Sequence, residues 1–201
     1  MPTPTDTPIP VTVVYQQGVG GYLGTTDATI HAWYPTTNYG TIGALSLRAD
    51  DIASGLIRFG LDIPTGSQVL DATLELYVLG RTNGNRETVS TYRLLRPWHP
   101  DQATWQQAAA GSSWTVPGAN GIGSDRTAEA TDATTLDSVG YWIRLNVADL
   151  VQTWVHDPSA NNGLILRATG SRPVQYDVAS SEYGAWELRP RLTVTYLPIA
   201  P

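Results

Sequence analysis

The sequence predicts an all-β fold, a jelly-roll β-sandwich of mostly antiparallel strands with one or two short helices. Three observations predict it. Residues 70–78 carry apolar side chains at the even positions Leu70, Ala72, Leu74, Leu76 and Val78, with mostly polar residues between them. A period of two marks a strand with one buried face. Residues 191–196 alternate the same way, and weaker alternation runs through 28–33, 44–48, 56–61, 89–95, 141–145 and 163–167. Turn chemistry separates these stretches: Asn38-Tyr39-Gly40, Pro64-Thr65-Gly66, Asn83-Gly84-Asn85, Pro117-Gly118 and Asn161-Asn162-Gly163. Many short strands with regular turns give a sandwich, not a βαβ fold.

Along the chain, residues 1–10 alternate Pro and Thr, the composition of a semi-rigid extended spacer. They lack the basic and apolar regions of a signal peptide. Residues 11–197 are expected to form a single sandwich domain, and 198–201 a short tail. A Pro/Thr spacer beside a compact domain suggests a modular secreted or cell-surface protein. Two segments break the strand pattern. Asn146 to His156 opens on a capping residue, has Asp149 in its first turn, and spaces Val147, Leu150, Val151 and Trp154 along one helical face. Asp157-Pro158 ends it. Residues 100–110 are a weaker helical candidate. The Gly-, Ala-, Ser- and Thr-rich stretch 111–138 reads as part of a long loop across 106–138.

Composition removes several classes of function. There is no Cys, so no disulfide framework, thiol chemistry or thiolate metal site. All 12 cationic residues are Arg, which removes a Schiff-base or P-loop lysine. A net charge of −6 argues against nucleic acid as a partner. No apolar run is long enough to insert into a membrane. The aromatic inventory is skewed to 7 Trp and 10 Tyr against one Phe, which suits surfaces that touch sugars or partners.

One ordered set of short motifs runs through the chain. It comprises Gly21-Tyr22, Thr26-Asp27-Ala28, Asn38-Tyr39-Gly40, Leu56-Ile57-Arg58-Phe59, Ile63-Pro64, Ala72-Thr73-Leu74 and Ala103-Thr104-Trp105. It continues through Leu150 to Trp154, Asn161-Asn162-Gly163-Leu164, Ser180-Ser181-Glu182 and Arg189-Pro190-Arg191-Leu192-Thr193-Val194. Their order and spacing over nearly all of 11–196 resemble the DNRLRE-domain group, carbohydrate-binding module family 96. The motif that gives the group its name does not occur. The resemblance implies a jelly-roll module on secreted, multidomain bacterial or archaeal proteins. Some members look like binders of acidic polysaccharides such as alginate. This chain departs from that ligand: it is acidic and has no Lys, so a polyanion is repelled at long range.

Catalytic constellations are missing. His31, His99 and His156 form no HExxH spacing, no GxSxG elbow exists, and adjacent acids such as Asp50 and Asp51 do not oppose each other across a cleft. The expected function is therefore a non-catalytic extracellular carbohydrate-binding module; the alternative is a structural spacer or adhesion domain. Candidate ligand residues are Trp33, Tyr34, Tyr39, Tyr183 and Trp186, aromatics in two loop segments with polar neighbours. Trp105, Trp142 and Trp154 are assigned to the core. A polysaccharide partner is expected to be neutral rather than polyanionic, because a polyuronate needs a basic track; the other partners are further domains of the parent protein. No cofactor is required. A structural Ca²⁺ is the one ion anticipated, with oxygen ligands from Asp27, Asp50, Asp51, Asp177 and Glu182. Against it stands an ion pair of Asp27 or Glu182 with an arginine such as Arg58 or Arg189.

Overall fold

The structure, a computed structural model, describes residues 9–199. The first eight residues of the expected linker and the last two of the tail lie outside the described residues. Strand β1 (Val11–Gln16) is followed by β2 (Thr25–His31), β3 (Ala44–Arg48), β4 (Ala53–Phe59), β5 (Gln68–Arg81) and β6 (Glu87–Arg93). Then come β7 (Gln107–Ala109), β8 (Ser112–Ser113), β9 (Asp132–Leu136), β10 (Trp142–Asn146), helix α1 (Ala148–His156), β11 (Leu164–Thr169), β12 (Gln175–Ala179) and β13 (Arg191–Leu197).

These strands pair antiparallel in two layers. One layer holds β1, β13, β5 and β10. The other runs from β12 and β3 to β4, which β2 and β11 flank, and on through β6 to β9. The long strand β5 belongs to both: its first half pairs with β13 and its last residues with β12. A register shift at Asp177/Val178 accompanies that crossing, and a second, at Thr195/Tyr196, lies near the start of β5. Such bulges sharpen local twist, which lets one strand pass from layer to layer.

The alternation legible in the sequence builds the inner core. Leu74, Leu76, Val78, Ile143, Leu145, Leu192 and Val194 of one layer meet Leu45, Leu47, Ile57, Phe59, Leu164, Leu166 and Tyr176 of the other, all buried. Each fully buried Leu or Ile contributes about 1.5–3 kcal/mol. Helix α1 closes one end with Leu150, Val151, Trp154 and Val155. Its expected cap is corrected: Val147, not Asn146, occupies the cap position and makes no side-chain cap bond, while the Ala148 N–H donates to Asn146 Oδ1 just outside the helix.

Three expectations are corrected. Residues 100–110 are not helical; they make a turn and enter the hairpin β7–β8. Within 106–138, strand β9 pairs with β6. What reads as loop is largely a folded cover, in which Leu94, Trp98, Ala103, Ala108, Trp114 and Ala119 bury Ala28, Ile30, Leu56 and Ile165 on the outer side of the second layer. The buried Asp125 carboxylate organises it by accepting the N–H groups of Thr115, Val116 and Gly121 and the Arg96 guanidinium. Burial pushes this carboxyl up, and those donors outweigh burial and hold it below the usual carboxylate range. Short side chains, mistaken for loop composition, are what allow the cover to lie close on the sheet. Third, Trp142 is not in the core. Ile143 and Leu145 take the inward positions of β10, so the half-buried Trp142 faces outward, edge-on to Tyr77 at 5.4 Å.

Candidate functional site

Strand β2 positions the site. Its even residues Ala28 and Ile30 enter the outer apolar cluster. Its odd residues Thr25, Asp27, Thr29 and His31 are equally buried and entirely polar. That second face meets β3 and the segment after β12. Thr29 Oγ1 accepts the Ser46 N–H at 2.9 Å, and an Asp27 oxygen accepts the Ser181 N–H at 2.6 Å. At the end of this polar stripe, beside His31, the chain leaves the strand through Trp33 and Tyr34 and returns at Tyr39, which bridges back to Thr29.

The returning loop is pinned to the cover. Asn38 Nδ2 donates to the carbonyls of Pro100 and Ala103, both at 2.8 Å, and Asn38 Oδ1 accepts the Gly40 N–H. Gly40 is required by space: a Cβ there would stand 1.9 Å from the Pro100 carbonyl oxygen. The result is a cleft of about 360 Å³ lined by Thr29, His31, Trp33, Tyr34, Tyr39, Ile42, Ala44, Ser46 and Gln175.

Trp33 and Tyr34 remain 57% and 56% exposed at this cleft, large apolar rings left open to solvent. Their rings tilt around the buried imidazole of His31, at 48° and 57° to it and 5.4 and 5.3 Å away. His31 Nδ1 accepts the Trp33 backbone N–H at 3.2 Å, so the neutral ring carries its proton on Nε2. Burial, then the nearby Arg48 charge, holds the His31 pKa below its ordinary value. Arg48 lies over the Trp33 ring at 4.8 Å, a cation–π contact that fixes that face. Deeper in, Asp177 accepts the Ser46 hydroxyl at 2.7 Å and the Gln175 amide at 2.9 Å, which orients both. No lining residue carries a formal charge.

The expected aromatic set is thus divided. Trp33, Tyr34 and Tyr39 line one cleft. Tyr183 is half-buried against Gly43, behind the rim residues Ile42 and Ala44. Trp186 is 54% exposed on a separate 3-10 turn, Trp186–Leu188, and does not line the cleft. Sequence reasoning missed Thr29, Ser46 and Gln175. The unbroken polar face of β2 is a signal for the first; for Gln175 the signal is the alternation Val174-Gln175-Tyr176-Asp177-Val178, which marks β12 as a strand.

The expected acidic set is divided as well. Asp27 and Glu182 come together, and burial first, then the Glu182 charge, pushes the Asp27 carboxyl up to about 8, so it is protonated at neutral pH. Asp177 belongs to the cleft network. Asp50 and Asp51 form the turn between β3 and β4, where Asp51 meets Arg167. Among the described residues, no three His, Cys, Asp or Glu side chains converge as a metal cluster. The expected ion pair with Arg58 or Arg189 is corrected. Arg58 is half-buried and lies over Trp98 at 5.5 Å, while Arg189 donates to the carbonyls of Tyr183 and Gln17. An aromatic face and backbone oxygens satisfy these guanidiniums without an acid. No helix among the described residues is long and apolar enough to cross a membrane.

The cleft is open and aromatic, has walls of uncharged hydrogen-bonding groups, and is set in a β-sandwich. The chain belongs to carbohydrate-binding module family 96, which matches residues 22–196 and so spans β2 to β13 with the whole cleft. No curated protein matches the chain.

Proposed function

We propose that the protein is a non-catalytic module that binds a soluble, neutral polysaccharide in the Trp33–Tyr34 cleft, as part of a larger secreted or cell-surface protein. The observation that carries this is the pair of half-exposed rings over a floor of oriented polar groups. A pyranose stacks its C–H face on an aromatic ring while Gln175, Ser46 and the His31 imidazole offer donors and acceptors to its hydroxyls. Rings set at the walls of a cleft suit one chain in a groove and not the flat face of a crystalline polymer. A cleft of about 360 Å³ takes a short stretch of chain.

Neutral ligands are favoured by charge. The lining holds no cation, Arg48 packs over the Trp33 ring beside it, and Arg96, Arg144, Arg167 and Arg191 are engaged by Asp125, Glu75 and Asp51. A row of carboxylates has no basic track to follow. Catalysis finds no support: Asp27 and Glu182 face each other, but Asp27 is buried, leaving no room for a glycosidic bond between them.

Affinity electrophoresis over neutral and acidic polysaccharides tests the proposal. Retardation by a neutral chain, indifferent to salt and lost in the double variant Trp33→Ala, Tyr34→Ala, is expected. Retention by polyuronates alone, weakened by salt, or retention untouched by the double variant, overturns it. No retention by any glycan returns the protein to the spacer or adhesion class.

A further inference from the structure

The fold uses only part of the hydrogen-bonding capacity of the side chains at the cleft. Gln175 Nε2 donates to Ser46 Oγ at 3.2 Å and to Asp177 Oδ1 at 2.9 Å. An ionised carboxylate only accepts, so the nitrogen of this amide faces Asp177 and its carbonyl oxygen faces away. Both amide hydrogens are thus occupied, while Gln175 Oε1 accepts from no group among the described residues. Ser46 is closed in the same way, since its hydroxyl donates to Asp177 and accepts from Gln175. At His31 the Nδ1 lone pair is taken by the Trp33 N–H, and the proton sits on Nε2. That Nε2–H has no partner within the fold, and Nε2 is not among the unpartnered atoms that the fold seals from solvent. The cleft therefore keeps one free acceptor and one free donor, Gln175 Oε1 and His31 Nε2–H, in a single space of about 360 Å³.

The same space has an aliphatic wall, Ile42 and Ala44. Ile42 is 51% exposed, yet its backbone is tied on both sides. Its N–H donates to the Tyr39 carbonyl at 3.4 Å, and its carbonyl accepts the Ser180 hydroxyl at 2.7 Å. An aliphatic side chain is thus held in place and left open beside polar groups. A sugar that presents only hydroxyls gains nothing against such a wall, because a hydroxyl turned onto it loses its water without finding a partner.

We propose, resting on the reading of this cleft as a glycan site, that its ligand is a polysaccharide containing N-acetylated amino sugars. An acetamido substituent has three parts: an N–H donor, a carbonyl acceptor and a methyl group. Gln175 Oε1 accepts the N–H, His31 Nε2–H donates to the carbonyl, and the methyl packs on Ile42 and Ala44, while the sugar ring stacks on Trp33 or Tyr34. A lone hydroxyl in the same position has no methyl and is too short to meet all three. A free amine is a cation and cannot accept, which leaves the His31 N–H unpaired. The acetyl group adds no charge, in keeping with a lining that holds none. A site built to hydrogen-bond a substituent rejects the analogue lacking it more strongly than an apolar pocket rejects a missing methylene.

Saturation-transfer NMR with methyl glycosides tests this, comparing N-acetylglucosamine and N-acetylgalactosamine with glucose and galactose. At least one N-acetyl sugar should bind about tenfold or more tighter than its parent sugar. Its acetyl methyl should receive the strongest saturation. Ile42→Ser, a change at an exposed side chain, should keep the wild-type Tm and weaken N-acetyl sugar binding several-fold. The comparison of sugars on the wild-type protein needs no variant, so it stands should Ile42→Ser fail to fold. Equal binding of the parent sugars, binding of neither N-acetyl sugar, an unsaturated acetyl methyl, or a folded Ile42→Ser with unchanged affinity overturns the proposal. Retention of a neutral polysaccharide without acetamido groups, lost in the double variant Trp33→Ala, Tyr34→Ala, overturns this inference alone and leaves the cleft's proposed role standing. N-acetyl sugar binding that survives the double variant overturns both.

Discussion

Two aromatic surfaces of the molecule differ in how far their groups are already satisfied. At the cleft, Trp33 and Tyr34 stand more than half exposed. On the outer face of the other layer, Trp142 is half-buried, edge-on to Tyr77, and under Arg191 at 5.0 Å. That arginine and Arg144 are both fixed by Glu75, at 2.6 and 3.0 Å. Both regions hold Trp, Tyr and Arg on strands or strand ends. In one, rings and guanidiniums pack on partners within the fold; in the other, two rings stay more than half exposed beside polar groups that the fold has oriented. Exposure, rather than aromatic content, distinguishes the proposed binding surface from the one that holds the fold together.

The largest effect expected comes from removing the cleft's anchor. Gly40→Ala places a methyl 1.9 Å from the Pro100 oxygen, so the loop and the cover must separate. Stability should fall by about 2–4 kcal/mol in denaturant titration, with glycan retention lost; an unchanged variant would mean the cleft does not depend on that contact. Next, the two tryptophans should behave as opposites. Trp142→Ala should cost about 1–3 kcal/mol of stability and leave retention unchanged. Trp33→Ala should keep stability within about 0.5 kcal/mol and weaken glycan binding tenfold or more, about 1.4 kcal/mol. Reversed outcomes would move the binding face to the Tyr77–Trp142 sheet. Glu75→Gln removes the charge that two arginines share, and should cost about 1–2 kcal/mol with no effect on binding.

The smallest effect is with pH. Asp27 and Glu87 have folded pKa values raised to about 8 and about 7, so between the ordinary carboxylate range and those values the folded state holds more protons than the unfolded. Stability in chelator should therefore fall as pH rises from about 5 to 8. Glu75 is lowered, chiefly by its Arg191 bond, and Asp125 is lowered too. Their contribution is present above the ordinary carboxylate pKa and fades as pH drops below it. A Tm maximum near pH 5 in chelator is expected; a Tm that climbs steadily to pH 8 would show that the raised pair is not raised.

Alternation alone located most strands. Residues 70–78, 44–48 and 191–196 have a period of two because one face of each is apolar and the other is not, and turn residues mark their ends. Helix α1 was legible for the same reason at a period of 3.6. Asn38-Tyr39-Gly40 stood out as a turn, and Trp33, Tyr34 and Tyr39 as aromatics leaving a strand. Tertiary structure decided the rest. Strand β12 alternates over only a few residues, and its place between β3 and β5 is defined by pairing. The cover over 94–126 looks like loop because its order comes from one buried carboxylate, Asp125, and from close approach of small residues to a sheet, neither of which has a local period. Whether a tryptophan is core, structural surface or proposed binding surface depends on what lies around it: Trp142 met Tyr77 and Arg191 and is half-buried, while Trp33, beside His31 and Arg48, keeps more than half its surface open to solvent. The destination of an acid is likewise set across the sandwich, where Asp27 faces Glu182 rather than arginine, and Glu87, unmarked in the sequence, is left with two free oxygens. Backbone periodicity is written locally; the partners that satisfy a polar or aromatic side chain come from residues far away in the chain, and only the folded structure brings them together.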